Sequence, residues 1–192
     1  MTKVDIVIVN WNAGDLLARC LASIAEHGGP RVDRVIVVDN GSTDGSAAAA
    51  AAPVELIEAG RNLGFGKACN LGASRGTASL LLFFNPDAEL RAGAIDAAAS
   101  LLESAAGADV GVCGIKLVDQ HGEAHRHCAR LPTWRTFIGN SLGLTRALKR
   151  WFPPMLMTEF DHLSSRDVDH VMGAFYLIRR DLFEALGWFD ER

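Results

Sequence analysis

The stretch Leu80-Leu81-Leu82-Phe83-Phe84-Asn85-Pro86-Asp87 constrains the fold of this chain more than any other. Its unbroken apolar part describes a strand buried on both faces, and Pro86, which has no N–H to give to a ladder, stops it. Such a strand needs neighbours on both sides and covering layers above and below. It also leaves Asp87 at the carboxyl end, the edge where open α/β sheets bind ligands. Asn-Pro and Asp are ordinary turn residues as well, so the motif alone decides nothing about function.

Strand and helix signals alternate around this run. Val4–Val9 is a short β-rich segment, and Leu16, Leu17, Cys20, Leu21 and Ile24 then recur at helical spacing up to Gly28-Gly29-Pro30. Val35–Val38 reads as a second buried strand, followed by the polar turn Asp39–Ser46. Asp44 or Ser42 is placed to cap a helix expected across the six alanines 47–52, because Ala is the best helix former. Val54–Ile57 is a third strand, a helix is expected to about Arg75, and another runs through Ile95, Leu101 and Leu102. Val110–Lys116 reads as a strand, and Asp119-Gln120-His121-Gly122 as a hairpin tip. The periodicity fails between Arg130 and Arg166. There Trp134, Trp151 and Phe152 are expected chiefly as the segment's own small core, with sugar stacking or membrane contact as the other uses. Val168–Ile178 is strand-like, and Arg180–Leu186 is a short helix. The alternation predicts an α/β fold with a mostly parallel central sheet and helices on both faces.

A length of 192 residues suits one domain. With 49% hydrophobic and 22% charged residues and a net charge of -4, the chain reads as soluble and globular. That balance gives no support for nucleic acid as a partner, nor for anionic-membrane binding as the main role. Met1–Trp11 is too short in its apolar part for a signal peptide, and no run reaches transmembrane length. A cytoplasmic location is expected, with peripheral contact at the cytoplasmic face of a membrane left open. Cys20, Cys69, Cys113 and Cys128 form no Cys-x-x-Cys pair and are expected as reduced thiols, Cys20 and Cys113 in the core.

Polar clusters follow the first, second and fourth strands: Asn10-Trp11-Asn12, Asp39-Asn40-Gly41-Ser42 and Asn85-Pro86-Asp87. Parallel strands would bring all three to one sheet edge and form a binding crevice. Asp39 only accepts hydrogen bonds, which suits the imide N–H of a uracil or thymine ring, or ribose hydroxyls. Asp87 suits a hard divalent cation that bridges to a diphosphate. Arg61 is either a phosphate partner or a solvated loop charge, and Gly64 and Gly66 permit close backbone approach. Other motifs fail. Cys69 stands where a dinucleotide fingerprint needs Gly or Ala, and there is no P-loop and no Gly-x-Ser-x-Gly elbow. His121, Glu123, His125, His127 and Cys128 are dense in zinc-ligand types but match no standard spacing, so no metal site is expected there.

The chain resembles the family 2 inverting glycosyltransferases, in their rhamnosyltransferase-like branch. The resemblance is carried by Ile8–Asn12, Val37–Ser46, Asn62–Gly66 with Asn70-Leu71-Gly72, and Asn85-Pro86-Asp87. It continues in Gly173-Ala174, Arg179-Arg180, Phe183 and Gly187–Glu191. It implies a GT-A fold and a nucleotide-sugar donor, with dTDP-rhamnose first among candidates. Transfer would be to a glycan or lipid-linked acceptor, as in cell-wall or polysaccharide biosynthesis. It assigns the donor to Asn10, Asn12, Asp39, Asn40, Arg61, Asn62, Asn70 and Asn85, with Asp39 on base or ribose. Asp87 matches the last aspartate of the family's Asp-x-Asp motif and would hold Mg²⁺ or Mn²⁺. Asn85 stands in the first position, so a single carboxylate remains. Gly173 and Ala174 match the sugar and acceptor side.

The same resemblance divides one domain, 1–192, into a nucleotide-sugar part, 1–116, and the start of an acceptor-side part, 117–192, with the irregular arm 130–166. The family's general base, in a Glu-Asp pair, is expected beyond Arg192, so no catalytic residue is expected within the chain, which is expected to be cut short. Asp190 and Glu191 are expected as a structural turn. Two other functions stay open: a non-catalytic nucleotide-sugar-binding module, and a nucleotidyltransferase. The last is the weakest, because Asn10–Asp15 carries no Arg or Lys for a phosphate loop.

Overall fold

The computed structural model describes residues 1–125, 127–148, 150–157, 160–171 and 173–191. Six strands, β1 (Val4–Asn10), β2 (Val32–Asp39), β3 (Glu55–Glu58), β4 (Leu80–Phe84), β5 (Val112–Cys113) and β6 (Phe175–Arg179), form one sheet in the order β3-β2-β1-β4-β6-β5. β3, β2, β1 and β4 are parallel, whereas β6 pairs antiparallel with both β4 and β5. Every residue of β4 is buried, with β1 on one side and β6 on the other.

Helices α1 (Asp15–His27), α2 (Phe65–Ala73), α3 (Ala94–Glu103) and α6 (Arg180–Ala185) belong with this sheet, and α4 (Trp134–Ser141) and α5 (Leu144–Ala147) lie in the chain between β5 and β6. Strand residues alternate between faces. Val7, Leu81, Phe83 and Ile178 form one cluster with Cys69 and Ala73 of α2 and Phe183 of α6. Ile6, Ile8 and Leu82 point the other way and are fully buried too. The buried stripes of α1 (Leu17, Cys20, Leu21, Ile24) and α3 (Ile95, Ala98, Ala99, Leu102) supply apolar cover of that kind. α2 approaches closely because Gly72 has no side chain: a Cβ there would lie 2.4 Å from Val7 Cγ1.

The structure departs from expectation at several elements. The alanine run forms only the 3₁₀ turn Ser46–Ala49. Its propensity is overruled at both ends, by Gly45 at φ 81° on entry and by Pro53, which disfavours α geometry in the residue before it. The strand expected over Val110–Lys116 contracts to β5, since only Val112 and Cys113 find partners on β6. The run Val168–Ile178 becomes a strand only from Phe175, and Met172 within it lies outside the described residues. The hairpin tip forms as expected, with Val118 bridged to Ala124 and Gly122 at φ 82°. All four cysteines are buried, unbridged thiols, and burial pushes Cys20 and Cys69 up to about 12.

The chain divides into two compact units. One comprises residues 1–113 and 173–192, the other 114–172. Residues 173–191, expected with the acceptor-side part, thus belong to the sheet unit. In the second unit the small core is Cys128, Met157 and Phe160 with Val168 against them. Trp134 and Trp151, expected in that core, are each 65% exposed, while Phe152 is half-buried with its Cβ against Gly139. Among the described residues, no helix is long and apolar enough to cross a membrane.

Two charged clamps hold the sheet unit. Asp5, fully buried at the start of β1, accepts the Ala78 N–H at 2.8 Å and Arg180 Nη2 at 2.9 Å, and Arg180 also donates to the Ala78 and Ala73 carbonyls. Breaking a buried pair strands the surviving charge. Asp5→Ala is therefore expected to cost about 3 kcal/mol in urea unfolding. In the second clamp Arg31 grips Asp96 and Glu103 of α3, at 2.9 and 2.7 Å. The Arg31 hydrogen bond is the chief cause that lowers Glu103 from 4.5 to about 2. A carboxylate depressed in the folded state stabilises above its unfolded pKa and loses that contribution as pH falls through its folded one. Acid unfolding followed by circular dichroism should therefore show a loss of stability between about pH 4.5 and about pH 2, which Glu103→Gln flattens.

Candidate functional site

The parallel register sets the site. Asn10 pairs with Asp39, and Val7 pairs with both Ile36 and Phe83, so β1, β2 and β4 end at one edge of the sheet. Flanking β1, the ends of β2 and β4 stand about 10 Å apart, two strand spacings.

Asn10 organises the β2 side. Buried completely, it donates through Nδ2 to Asp39 Oδ1 at 2.8 Å, Ser42 Oγ at 3.0 Å and Ser46 Oγ at 2.8 Å. Its Oδ1 has no partner among the described residues. Asp39, 7% exposed, also accepts the Ser42 N–H through Oδ2 at 3.1 Å. Each oxygen thus holds one donor and keeps a lone pair, so the carboxylate is oriented yet still able to accept. Asn12, at φ 52°, accepts the Thr43 N–H and donates its own N–H to Ser42 Oγ. Asp44 accepts the N–H of Gly14 and of Ser46, and its bonds to Ser46 hold its carboxyl below the usual range. These ties lock the loop after β1 onto the loop after β2. The buried role of Ser46 escaped the sequence reading, although Asp44-Gly45-Ser46 is a turn signal that carries it.

The loop after β3 is fastened to the same corner. Asn40 accepts the Leu63 N–H at 2.8 Å and donates to Asn62 Oδ1 at 3.1 Å, and Asn62 in turn accepts the Gly64 N–H. Gly41, at φ 82°, lies directly beneath the Arg61 backbone, where a Cβ would come within 2.8 Å. The Arg61 backbone is thereby pinned at the edge while its side chain is exposed to solvent.

On the β4 side, the Asn85 N–H donates to the Ala174 carbonyl at 3.3 Å. The Asn85 carbonyl closes the turn by accepting Ala88 N–H and also receives the Cys20 thiol of α1. Asp87 is exposed. Asp87 and Glu89 add to the burial that raises Cys20, which places both carboxylates near that thiol. Glu89 is itself paired with Arg19. Gly173 faces open space, with nothing within 4 Å of an added Cβ.

The structure thus gathers Asn10, Asn12, Asp39, Asn40, Arg61 and Asn62 in one corner, and brings Asn85, Asp87, Gly173 and Ala174 together on the neighbouring strand ends. Asn70 is committed elsewhere. Its side chain donates to the Phe189 carbonyl and Glu191 and accepts the Phe189 N–H. Glu191 is also paired with Lys67, and the Asn70 bond leads in lowering its pKa, which fits an anchor and makes a poor proton acceptor. A cavity of about 720 Å³ lies here, lined by Leu63, Lys67, Asn70, Leu71 and residues 186–191. None of Asn10, Asp39 and Asp87 lines it.

In the second unit, His127, Cys128 and His162 hold their ligand atoms within 4.8 Å of one another. The sequence reading had no signal for His162, which is far off in the chain. Its Nε2 already accepts the N–H groups of His127 and Cys128, each at 3.2 Å, so its lone pair serves loop closure instead of a metal. Burial holds His127 below the usual imidazole range.

A family model for glycosyl transferase family 2 matches residues 5–187. The chain is 32% identical, over 209 aligned positions, to N-acetylglucosaminyl-diphospho-decaprenol L-rhamnosyltransferase of Mycobacterium tuberculosis, in strains CDC 1551 / Oshkosh and ATCC 25618 / H37Rv. That alignment covers 100% of the chain and 66% of the relative, so the chain spans about two thirds of its length. In three dimensions it matches the mannosyltransferase PcManGT from Pyrobaculum calidifontis in complex with GDP-Man and Mn²⁺, with TM-score 0.64 and 20% identity over 99% of this chain and 48% of that one. S. aureus TarS 1–349 in complex with UDP gives TM-score 0.65 and 18% identity over 98% and 50%.

Two glycines differ in what an added Cβ would meet. Gly41→Ala should lower stability by about 1–3 kcal/mol and speed amide exchange in 61–64, because the new Cβ meets backbone in a left-handed conformation. Gly173→Ala should leave the melting temperature unchanged, since its Cβ meets nothing.

Proposed function

The chain belongs to glycosyl transferase family 2 and carries the GT-A glycosyltransferase fold, and from that we propose that it moves a sugar from a nucleotide-sugar donor to an acceptor hydroxyl with inversion. The observation that carries this reading is the register that sets Asn10, Asp39 and the Asn85-Pro86-Asp87 turn on one sheet edge. Asp39, held by Asn10 and Ser42, accepts the imide N–H of the base or a ribose hydroxyl. Arg61 reaches the diphosphate from a backbone fixed against Gly41. Gly173 and Ala174, tied to Asn85, line the sugar and acceptor side.

One exposed carboxylate beside an open edge fits Mg²⁺ or Mn²⁺, ions that bind through one or two carboxylates and complete their shell with substrate phosphates and water. Asp87 would hold the ion, which when bound neutralises charge on the departing diphosphate. The acceptor hydroxyl gives its proton to a general base as its oxygen forms the bond to the anomeric carbon from the face opposite the diphosphate, and the anomeric bond to that diphosphate breaks. The donor-side groups of this chain orient the substrate. Neither Asp39, whose free lone pairs serve the base or ribose, nor Glu191, held by Asn70 and Lys67, suits the general base.

The M. tuberculosis relative's name supports L-rhamnose as the sugar, hence dTDP-rhamnose as donor, and a lipid-linked acceptor. A lipid-linked acceptor would be met at the cytoplasmic face of a membrane. Thermal shift tests the donor edge. At about 100 times Kd, dTDP or UDP with Mn²⁺ should raise the melting temperature by about 5 °C or more. Asp39→Ala, compared with its own ligand-free melt, should abolish the shift, whereas Asp87→Ala should remove only its metal-dependent part. No shift with either nucleotide refutes the reading. Donor hydrolysis across a panel of nucleotide sugars then separates an enzyme from a module that binds donor without turning it over.

A further inference from the structure

The second unit carries a surface that the donor edge does not account for. Helix α4 is inverted in its exposure. Thr136 and Gly139 are its buried residues, whereas Trp134 and Phe137 are each 65% exposed and Ile138 is also exposed. At spacings of three and four these apolar residues share one helical face, and Leu142, one turn beyond Ile138, is exposed as well. Phe152 packs against the buried Gly139 of α4, and its chain neighbours Arg150 and Trp151 are exposed. Soluble proteins rarely leave that much contiguous aromatic surface without a partner.

Charge identifies the partner. Residues 124–158 contain six of the chain's 19 Lys and Arg and none of its 23 Asp and Glu. The net charge of -4 conceals this segregation, which is why whole-chain composition argued against an anionic surface. Two of these cations, Arg135 and Arg150, are exposed, and the Arg135 guanidinium lies 5.3 Å from the Trp134 ring centroid. Indole and guanidinium together suit the headgroup region of a bilayer, where an apolar body meets acyl chains and a cation meets lipid phosphate. A second copy of this chain offers the same basic face and would repel it in a two-fold contact.

We propose that the α4 face, Trp134, Phe137, Ile138 and Leu142 with Trp151, Arg135 and Arg150, docks on an anionic lipid bilayer. The aromatic residues enter the interface and the arginines bind lipid headgroups. Two weak signals, apolar insertion and basic charge, combine into reversible attachment. The inference stands apart from the donor reading, because vesicle binding and nucleotide binding are measured separately and either can fail alone.

The test is co-sedimentation of the full chain with phosphatidylcholine vesicles, with and without about 30 mol% phosphatidylglycerol. Binding is expected only with phosphatidylglycerol, and it should fall when salt rises from about 0.05 M to about 0.5 M. Each basic residue near the surface is worth about fivefold in partitioning, so Arg135→Glu with Arg150→Glu should weaken binding about 25-fold or more. Trp134→Ser with Phe137→Ser should weaken it at least tenfold, because an exposed aromatic pair is the inserted part. All four residues are exposed, so circular dichroism and melting temperature should match wild type. Brominated lipids should quench wild-type tryptophan emission and should fail to quench Trp134→Phe with Trp151→Phe. The proposal is overturned by a wild-type chain that ignores phosphatidylglycerol vesicles, or by variants that bind them as well as wild type does. It is equally overturned if the substitutions abolish self-association in sedimentation velocity and leave lipid binding unchanged, which makes a second copy the occupant.

Discussion

β4 is paired along both edges and covered on both faces, and the proposed donor edge depends on that strand being held. A strand of five apolar residues has no solvent-tolerant side, so its neighbours must satisfy every backbone group and every side chain. β1 does so in parallel and β6 antiparallel, and each end of β4 is then closed by a polar tie. At the amino end the buried Asp5–Arg180 pair spans from β1 to the residue after β6. At the carboxyl end the Asn85–Ala174 hydrogen bond joins the turn after β4 to the chain entering β6. The turn bearing Asp87 inherits its position from a fully buried strand.

The β2 side of the edge follows a different logic. Asp39 is held by the Asn10 amide and the Ser42 N–H, and the same amide, through the Ser42 and Ser46 hydroxyls, joins the loops of two adjacent strands. This separates the structural and ligand-facing roles within one cluster of polar residues. Asn10, Asn40 and Ser46 spend their hydrogen bonds inside the protein so that Asp39 and the Arg61 backbone stay fixed. On the proposed reading that rigidity serves donor orientation, because a carboxylate that only accepts must be aimed before a base arrives.

The second unit obeys neither rule. Its core is small, Cys128, Met157 and Phe160 with His162 stacked on Phe160 and His127 tilted against His162, whereas Trp134, Phe137 and Trp151 face outward. Aromatic content there was legible in the sequence, but its direction was not. Poor periodicity leaves no stripe from which to infer an inward face, and so Trp134 and Trp151 read as core. The alanine run failed for the reverse reason: propensity was strong, but the flanking Gly45 and Pro53 left too short a stretch for a helix.

What the sequence determined by itself was periodic or local. The apolar runs set the strands, polar residues stopped them in order, and the spacing of the motifs carried the family resemblance together with most of the edge residues. Tertiary structure alone decided which polar side chains are closed and which are open. Asn70 and Glu191 satisfy one another across 121 positions of chain, His162 caps a loop 34 residues away, and both partnerships depend on proximity that sequence spacing does not encode. A side chain's chemical capacity is written in its residue type, whereas whether that capacity is free for a ligand depends on what folding brings within hydrogen-bonding distance.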